Sequence, residues 1–211
     1  MIKIISFDMD GTLVTSNYVE KVWLEGVPTL YAERHKIGLE EAQKLVYDEY
    51  MSVGTRDLRW YDLQHWLDRF DLDIERIDLL EMYRDDVEFY PETEEVLALL
   101  SKRFDLVVAS NGATEFVDFE LGSLKHYFRE IISVTSKFKK VKDFPETFHD
   151  LCQYLGAKPE EVMHIGDHRY FDYEVPKEAG LFALYLDRDR MESGPDVVHD
   201  LREAAERVTG M

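Results

Sequence analysis

The chain has 211 residues, 45% of them hydrophobic and 33% charged, with 25 Lys+Arg against 44 Asp+Glu for a formal net charge of -19. That length suits one main core with a modest insertion at about 150 residues per domain. The composition excludes wholesale disorder, and the charge excludes general binding to nucleic acid or anionic lipid.

Residues 2–7 form a short apolar, β-branched run that stops at Asp8, the pattern of a strand buried on both faces of a parallel sheet. Asp8 and Asp10 interrupt it long before a signal peptide or a spanning helix of roughly 20 residues is complete. The single cysteine, Cys152, has no partner for a disulfide and is expected to pack on an amphipathic helix; a cytoplasmic setting follows.

From Asn17 to about Glu88 the pattern is helical, over residues 18–25, 39–51, 56–70 and 74–84, with breaks at Gly26-Val27-Pro28, Gly38 and Gly54. A small helical module is expected over residues 16–88. Leu58, Tyr61, Leu63, Trp66, Leu67 and Phe70 approximate a 3.6-residue period and are expected to form its core.

Beyond it, apolar runs at 106–109, 131–134, 162–165 and 181–186 alternate with helical patterns at 91–102, 113–124, 145–155 and 170–179, and a terminal helix begins near His199. Strand and helix in alternation predict an α/β fold, a doubly wound parallel sheet built from residues 1–15 and 89–211.

Chemistry-bearing residues gather where apolar runs stop. In Asp8-Met9-Asp10-Gly11-Thr12 two carboxylates stand one residue apart at a strand end, where open α/β sheets bind ligands. Such acids repel unless a cation or proton intervenes, so the pair implies Mg²⁺ or catalysis; taken alone, the string also reads as a polar turn. An EF-hand loop fits poorly, because Gly11 follows the second acid at once.

Ser110-Asn111-Gly112 offers a hydroxyl and backbone N–H groups at a helix start, suited to a phosphate oxygen or simply to capping. Lys142 precedes Pro145 in a loop that also holds Lys137, Lys139 and Lys140. One lysine there neutralises a nucleophile and a transferring group; the rest read as a solvated face. Gly166-Asp167 and Asp172 place two acids five residues apart where another strand stops. His164 reads as a buried, hydrogen-bonded strand residue, and His168 as a loop residue or a substrate contact.

In order and placement these four segments resemble the haloacid dehalogenase superfamily, across the whole core. The resemblance implies a Rossmann-like core, with the first strand between the second and fourth, and makes residues 16–88 a C1-type helical cap hinged at 15–19 and 86–91. It implies Asp8 as nucleophile, Asp10 as general acid and base, and Lys142 as the catalytic lysine. Thr12, Ser110 and the N–H of Asn111 would bind phosphate, and Asp8, Asp167 and the carbonyl of Asp10 would hold Mg²⁺. Asp172 would hold a metal-bound water or orient Lys142.

Members that cleave carbon–halogen bonds lack an aspartate at the place of Asp10, so the resemblance favours a phosphatase acting on a small phosphorylated metabolite. A phosphomutase and a non-catalytic phosphate- or metal-responsive binding protein are the alternatives. Pro176 lies inside the helix after Asp172 and is expected to kink it and displace that acid. Arg56, Arg59 and Trp60 follow Gly54 and either contact substrate or begin a solvated helix.

Overall fold

The structure is a computed structural model describing residues 1–210. Two compact units divide the chain, residues 16–88 and residues 1–15 with 89 onward.

The unit spanning 16–88 is helical: α1 Asn17–Lys21, α2 Val27–His35, α3 Leu39–Val53, α4 Leu63–Arg69 and α5 Arg76–Met82. The expected break at Gly26-Val27-Pro28 does not occur. A π-helical turn, Val22–Gly26, joins α1 to α2, and Pro28 falls in the first turn of α2; the Trp23 carbonyl in the turn before it accepts from the Tyr50 hydroxyl at 3.3 Å. Gly26 serves packing instead, since a Cβ there would lie 2.8 Å from the Tyr83 ring. The stretch 56–70 is also divided: Asp62 caps α4 by accepting from the His65 N–H at 3.2 Å, and Leu58–Tyr61 forms a separate 3₁₀ turn. Leu63, Trp66, Leu67 and Phe70 are buried as the period predicts, with Trp66 edge-on to Tyr50 at 4.7 Å. Leu58 and Tyr61 stay half-exposed.

The second unit holds a six-stranded sheet of β1 Ile4–Phe7, β2 Asp105–Ser110, β3 Glu130–Ser133, β4 Val162–Gly166, β5 Phe182–Leu186 and β6 Val197–Val198. The order is β3-β2-β1-β4-β5-β6 and every pairing is parallel. The two-residue β6 is too short to leave a pattern in the sequence. Alternate side chains leave the sheet on opposite faces. Ile5 and Phe7 pack with Leu97, Leu100, Val117, Leu121 and Leu201, whereas Ile4 and Val107 pack with Phe148, Leu151, Leu155 and Val175. Helices α6 Thr93–Leu100, α7 Thr114–Leu121 and the terminal Leu201–Thr209 thus cover one face, and Pro145–Leu155 covers the other.

Chain order reverses at β1, which lies between β2 and β4. Phe7 pairs with Val108 and with Ile165, so the residues following these strands emerge side by side at the crevice where such sheets bind ligands. No helix of the described residues is long and apolar enough to cross a membrane.

Candidate active site

Asp8 is the first residue past β1, and its N–H donates to the Ile165 carbonyl of β4 at 2.9 Å. The chain then turns tightly, with Leu13 N–H bonded to Met9 O at 2.8 Å. Gly11 has φ of +75°, and a Cβ there would lie 2.3 Å from Asp167 Oδ2. Only glycine admits both that backbone and the neighbouring carboxylate. Gly166 likewise leaves room for a carboxylate, that of Asp172, whose Cγ lies 2.5 Å from where a Cβ would stand.

Of the four lysines in the 137–142 loop, only Lys142 is buried, with 2% of its side chain exposed. Its Nζ donates to Asp8 Oδ1 at 2.5 Å, Asp172 Oδ1 at 2.6 Å and the Ala109 carbonyl at 2.9 Å. Those three acceptors use all three ammonium protons. The Lys142 segment is itself fixed by Asn111, whose Oδ1 accepts from the Lys142 N–H at 2.9 Å. The Asn111 side chain therefore positions the lysine, while Ser110 Oγ accepts from Gly112 N–H at 3.0 Å and keeps its own proton to donate.

Asp172 is fully engaged. Besides Lys142, its Oδ1 lies 3.1 Å from His164 Nε2, and its Oδ2 accepts from His168 N–H at 3.0 Å. The displacement expected from Pro176 is absent. Residues Arg169–Glu174 form a π-helical stretch and Val175–Glu178 an α-helical turn that takes Pro176 at its start; this change of winding leaves Asp172 in place, 1% exposed.

Asp8, Asp167 and Asp172 each bring a carboxylate oxygen within 4.8 Å of the others. Burial pushes Asp8 well up and the two neighbouring acids add to this, with Lys142 working the other way. Burial also opposes ionisation of Asp172, but Lys142 and His164 outweigh it and hold that carboxyl below its usual range. Asp167 forms no salt bridge among the described residues, and its Oδ1 accepts from Thr12 Oγ1 at 3.3 Å. Burial and the charge of Asp172 push it up to about 7.

The Asp10 side chain is not in this carboxylate cluster. Its Oδ1 is buried near Glu120 of α7, and neither that oxygen nor either Glu120 oxygen has a donor among the described residues. Two carboxylates offer only acceptors, so the contact is a hydrogen bond when the pair shares a proton. Burial raises both acids, and the charge of Asp10 raises Glu120 further.

His168 turns inward locally: its Nδ1 accepts from Phe171 N–H at 3.1 Å and its ring stacks on Phe171 at 4.2 Å. In the helical unit Arg59 is held by Asp57 at 2.7 Å, Trp60 lies edge-on to Tyr50 at 6.2 Å, and Arg56 is exposed.

Sequence reasoning does not bring three participants to the site: His164, which it reads only as a buried, hydrogen-bonded strand residue, Glu120 and Arg188. For Glu120 a signal existed, an acid on the buried face that also holds Phe116, Val117 and Leu121. Arg188 follows β5 and donates to Gly11 O at 2.9 Å, Thr12 O at 2.6 Å and Glu92 Oε1 at 2.9 Å, with its guanidinium 3.3 Å from the Tyr90 ring centroid. It braces the turn that follows Asp10. Arg188→Met is expected to lower stability by roughly 2–4 kcal/mol, since a charged donor leaves two carbonyls and a buried carboxylate. A shift in urea midpoint at constant m-value measures this.

A parallel Rossmann-like sheet with carboxylates gathered at its switch point defines an α/β enzyme. The haloacid dehalogenase-like hydrolase family matches residues 2–180, and the chain belongs to that family. It is 30% identical to a phosphoglycolate phosphatase of Aquifex aeolicus over 84% of this chain and 81% of that protein. Among solved structures, an HAD phosphatase from Thermococcus onnurineus superposes with a TM-score of 0.86 at 24% identity, covering 99% of both chains. A 2-haloacid dehalogenase from Pseudomonas syringae superposes with a TM-score of 0.68 at 22% identity, covering 100% of this chain and 99% of that one. Phosphatases and dehalogenases thus share the fold, and the chemistry must be argued from the site.

Proposed function

We propose that the protein is a Mg²⁺-dependent phosphomonoester hydrolase that acts on a small phosphorylated metabolite through an aspartyl phosphate at Asp8. The observation that carries this reading is the pairing of Lys142 Nζ with Asp8 at 2.5 Å, beside an Asp10 whose carboxyl burial drives toward the protonated form. A nucleophile and a proton carrier stand two residues apart.

Asp8 attacks phosphorus with the oxygen that Lys142 does not hold, the bond to the leaving oxygen breaks, and Asp10 gives that oxygen its proton. Water then attacks the aspartyl phosphate, Asp10 takes the water's proton, and the Asp8–phosphorus bond breaks to release phosphate. Thr12, Ser110 and the N–H of Asn111 bind the nonbridging oxygens, where most of the catalysis of phosphoryl transfer resides. Lys142, locked by three acceptors, offsets the charge on Asp8.

The donor set fits Mg²⁺: hard carboxylate oxygens, two of them on acids that burial drives toward the neutral form. Asp8, Asp167 and the main-chain carbonyl of Asp10 would hold the ion, while Asp172, spent on Lys142 and two other donors, orients the lysine. When bound, Mg²⁺ supplies the positive charge that lets an anionic phosphate approach these carboxylates. The helical unit is assigned the part of a C1-type cap that excludes water and reads the leaving group, with Arg56, Arg59 and Trp60 as its candidate contacts. The net charge of -19 favours small substrates over polyanions, and the lone buried Cys152 favours a cytoplasmic setting.

A protein that only bound phosphate would have no use for the proton carrier Asp10, which favours turnover over the binding reading. Phosphate release from an aryl phosphate, assayed with Mg²⁺ and with chelator and in Asp8→Asn and Asp10→Asn, tests the proposal. Mg²⁺-dependent release lost in both variants is expected. Tight Mg²⁺ binding with no release from that substrate or a broad metabolite panel overturns it.

Asp167 also sets a pH dependence. With its carboxyl at about 7 and ordinarily near 3.9 when unfolded, the metal-free folded state binds the extra proton between those values, so its stability falls as pH rises through them. Mg²⁺ competes with that proton. The rise in melting temperature on adding Mg²⁺ is expected to be larger at pH 8 than at pH 5.5, and calorimetry at pH 6.5 should register proton release on binding.

A further inference from the structure

Strands β1 and β4 are apolar except at one pair of facing positions, Ser6 and His164, which sit opposite each other in register. Both are fully buried. Burying a hydroxyl and an imidazole is costly unless each finds hydrogen bonds, and here they do: His164 Nδ1 lies 2.9 Å from Ser6 Oγ and its Nε2 lies 3.1 Å from Asp172 Oδ1. The Phe148 ring closes the other side, edge-on at 5.2 Å. An apolar side chain would fill this space at lower cost, so the pair requires a reason.

The reason lies in what Asp172 holds. The oxygen that faces His164 is the one that accepts from Lys142 Nζ at 2.6 Å, and the same ammonium reaches Asp8. A carboxylate acceptor requires the proton of a neutral imidazole to sit on Nε2, and Ser6 then donates into Nδ1. The carboxylate selects the tautomer, and the hydroxyl, which can donate or accept, satisfies the nitrogen left bare.

We propose that His164 is a positioning residue for phosphoryl transfer: its Nε2–H, with Nδ1 satisfied by Ser6, anchors Asp172, which in turn holds Lys142 against Asp8. This rests on the phosphatase reading above. A buried relay, Ser6 to His164 to Asp172 to Lys142, thereby extends the site a layer below the crevice.

Two amide substitutions separate positioning from packing. In His164→Gln the side-chain nitrogen reaches the place of Nε2 and keeps the donor to Asp172. In His164→Asn it reaches only the place of Nδ1, keeping the Ser6 partner and leaving Asp172 short of a donor. With an aryl phosphate and Mg²⁺, His164→Gln is expected to stay within about threefold of the native kcat and His164→Asn to fall roughly 10–100-fold, the range for lost supporting contacts, with KM little changed in both.

Equal losses in the two variants, tracking their melting temperatures, would reduce His164 to packing and overturn the proposal. The resting native protein supplies an independent readout. Side-chain ¹H–¹⁵N NMR is expected to show His164 protonated on Nε2 and bare on Nδ1, and a proton on Nδ1 would refute it. Failure of the native protein to turn over any phosphate ester would sink the phosphatase reading, and the tautomer would still decide whether His164 donates to Asp172.

Discussion

Asp8→Asn is expected to abolish phosphate release, a loss of roughly 10³-fold or more, while the melting temperature holds or rises. Asparagine is nearly isosteric and its carbonyl still accepts from Lys142 Nζ, so the local hydrogen bond survives. What disappears is an anion able to bond to phosphorus. In the native site that anion is unfavourable to the resting fold, because burial, then the charges of Asp172 and Asp167, push its carboxyl well above the ordinary range. Neutralising it relieves two repulsions, the usual relation between active-site charge and stability. Parallel assays of phosphate release and thermal unfolding check both halves. A variant that loses activity and several degrees together would make Asp8 a structural residue instead of a strained nucleophile.

The strands were legible because a centrally buried parallel strand writes itself as an uninterrupted apolar run. Ile4–Phe7 and Val162–Gly166 are buried at every residue, and each stops where a carboxylate follows. Helices in the 16–88 unit were less legible, because glycine and proline have two uses that look alike in sequence. Gly26 reads as a breaker, yet it lies in a continuous helical path where Tyr83 and Leu79 approach its bare Cα. Pro176 likewise reads as a kink, and the π-helical winding before it absorbs the proline without moving Asp172. Changes of helical register are settled by tertiary contacts that no local period encodes.

The four segments around Asp8, Ser110, Lys142 and Asp167 could be read because each is local and ends a strand. Their supports could not, since each partner is distant along the chain. Ser6 and His164 are 158 residues apart, and Arg188 reaches Gly11 across 177. Such residues look ordinary until the sheet places β1 beside β4. The Lys137–Lys142 loop shows the same limit from the other side. Lys140 pairs with Asp150 at 2.5 Å and Lys137 lies 3.5 Å from the Tyr154 ring centroid, both at the surface, while only Lys142 is drawn under the sheet edge by Asn111.

Lys142→Met is expected to cost about 3–5 kcal/mol of stability near neutral pH, the penalty for removing one partner of a buried ion pair, together with a roughly 10³-fold loss of phosphate release. Methionine replaces the apolar stem and removes only the ammonium, so the loss is electrostatic. Asp8 and Asp172 remain buried with no cation between them, and the Ala109 carbonyl loses its donor. The sign of the pH dependence follows from linkage. In the native protein burial works against Asp172, but Lys142 and His164 outweigh it and hold the carboxyl low. That contribution is present above the unfolded pKa and is lost as pH falls through the folded one. Without the lysine the two acids rise and take up protons in the folded state, so the variant should gain relative to native as pH falls. Urea denaturation is therefore expected to show a wide stability gap at pH 7.5 and a narrower one at pH 5, with unchanged m-values. Lys142→Arg should not restore activity, because a planar guanidinium cannot direct three protons to acceptors arranged around a single nitrogen. A gap that stays constant with pH would mean that the lysine fills space and does not balance the carboxylates, and the account of Asp8 as a lysine-steadied nucleophile would fall with it.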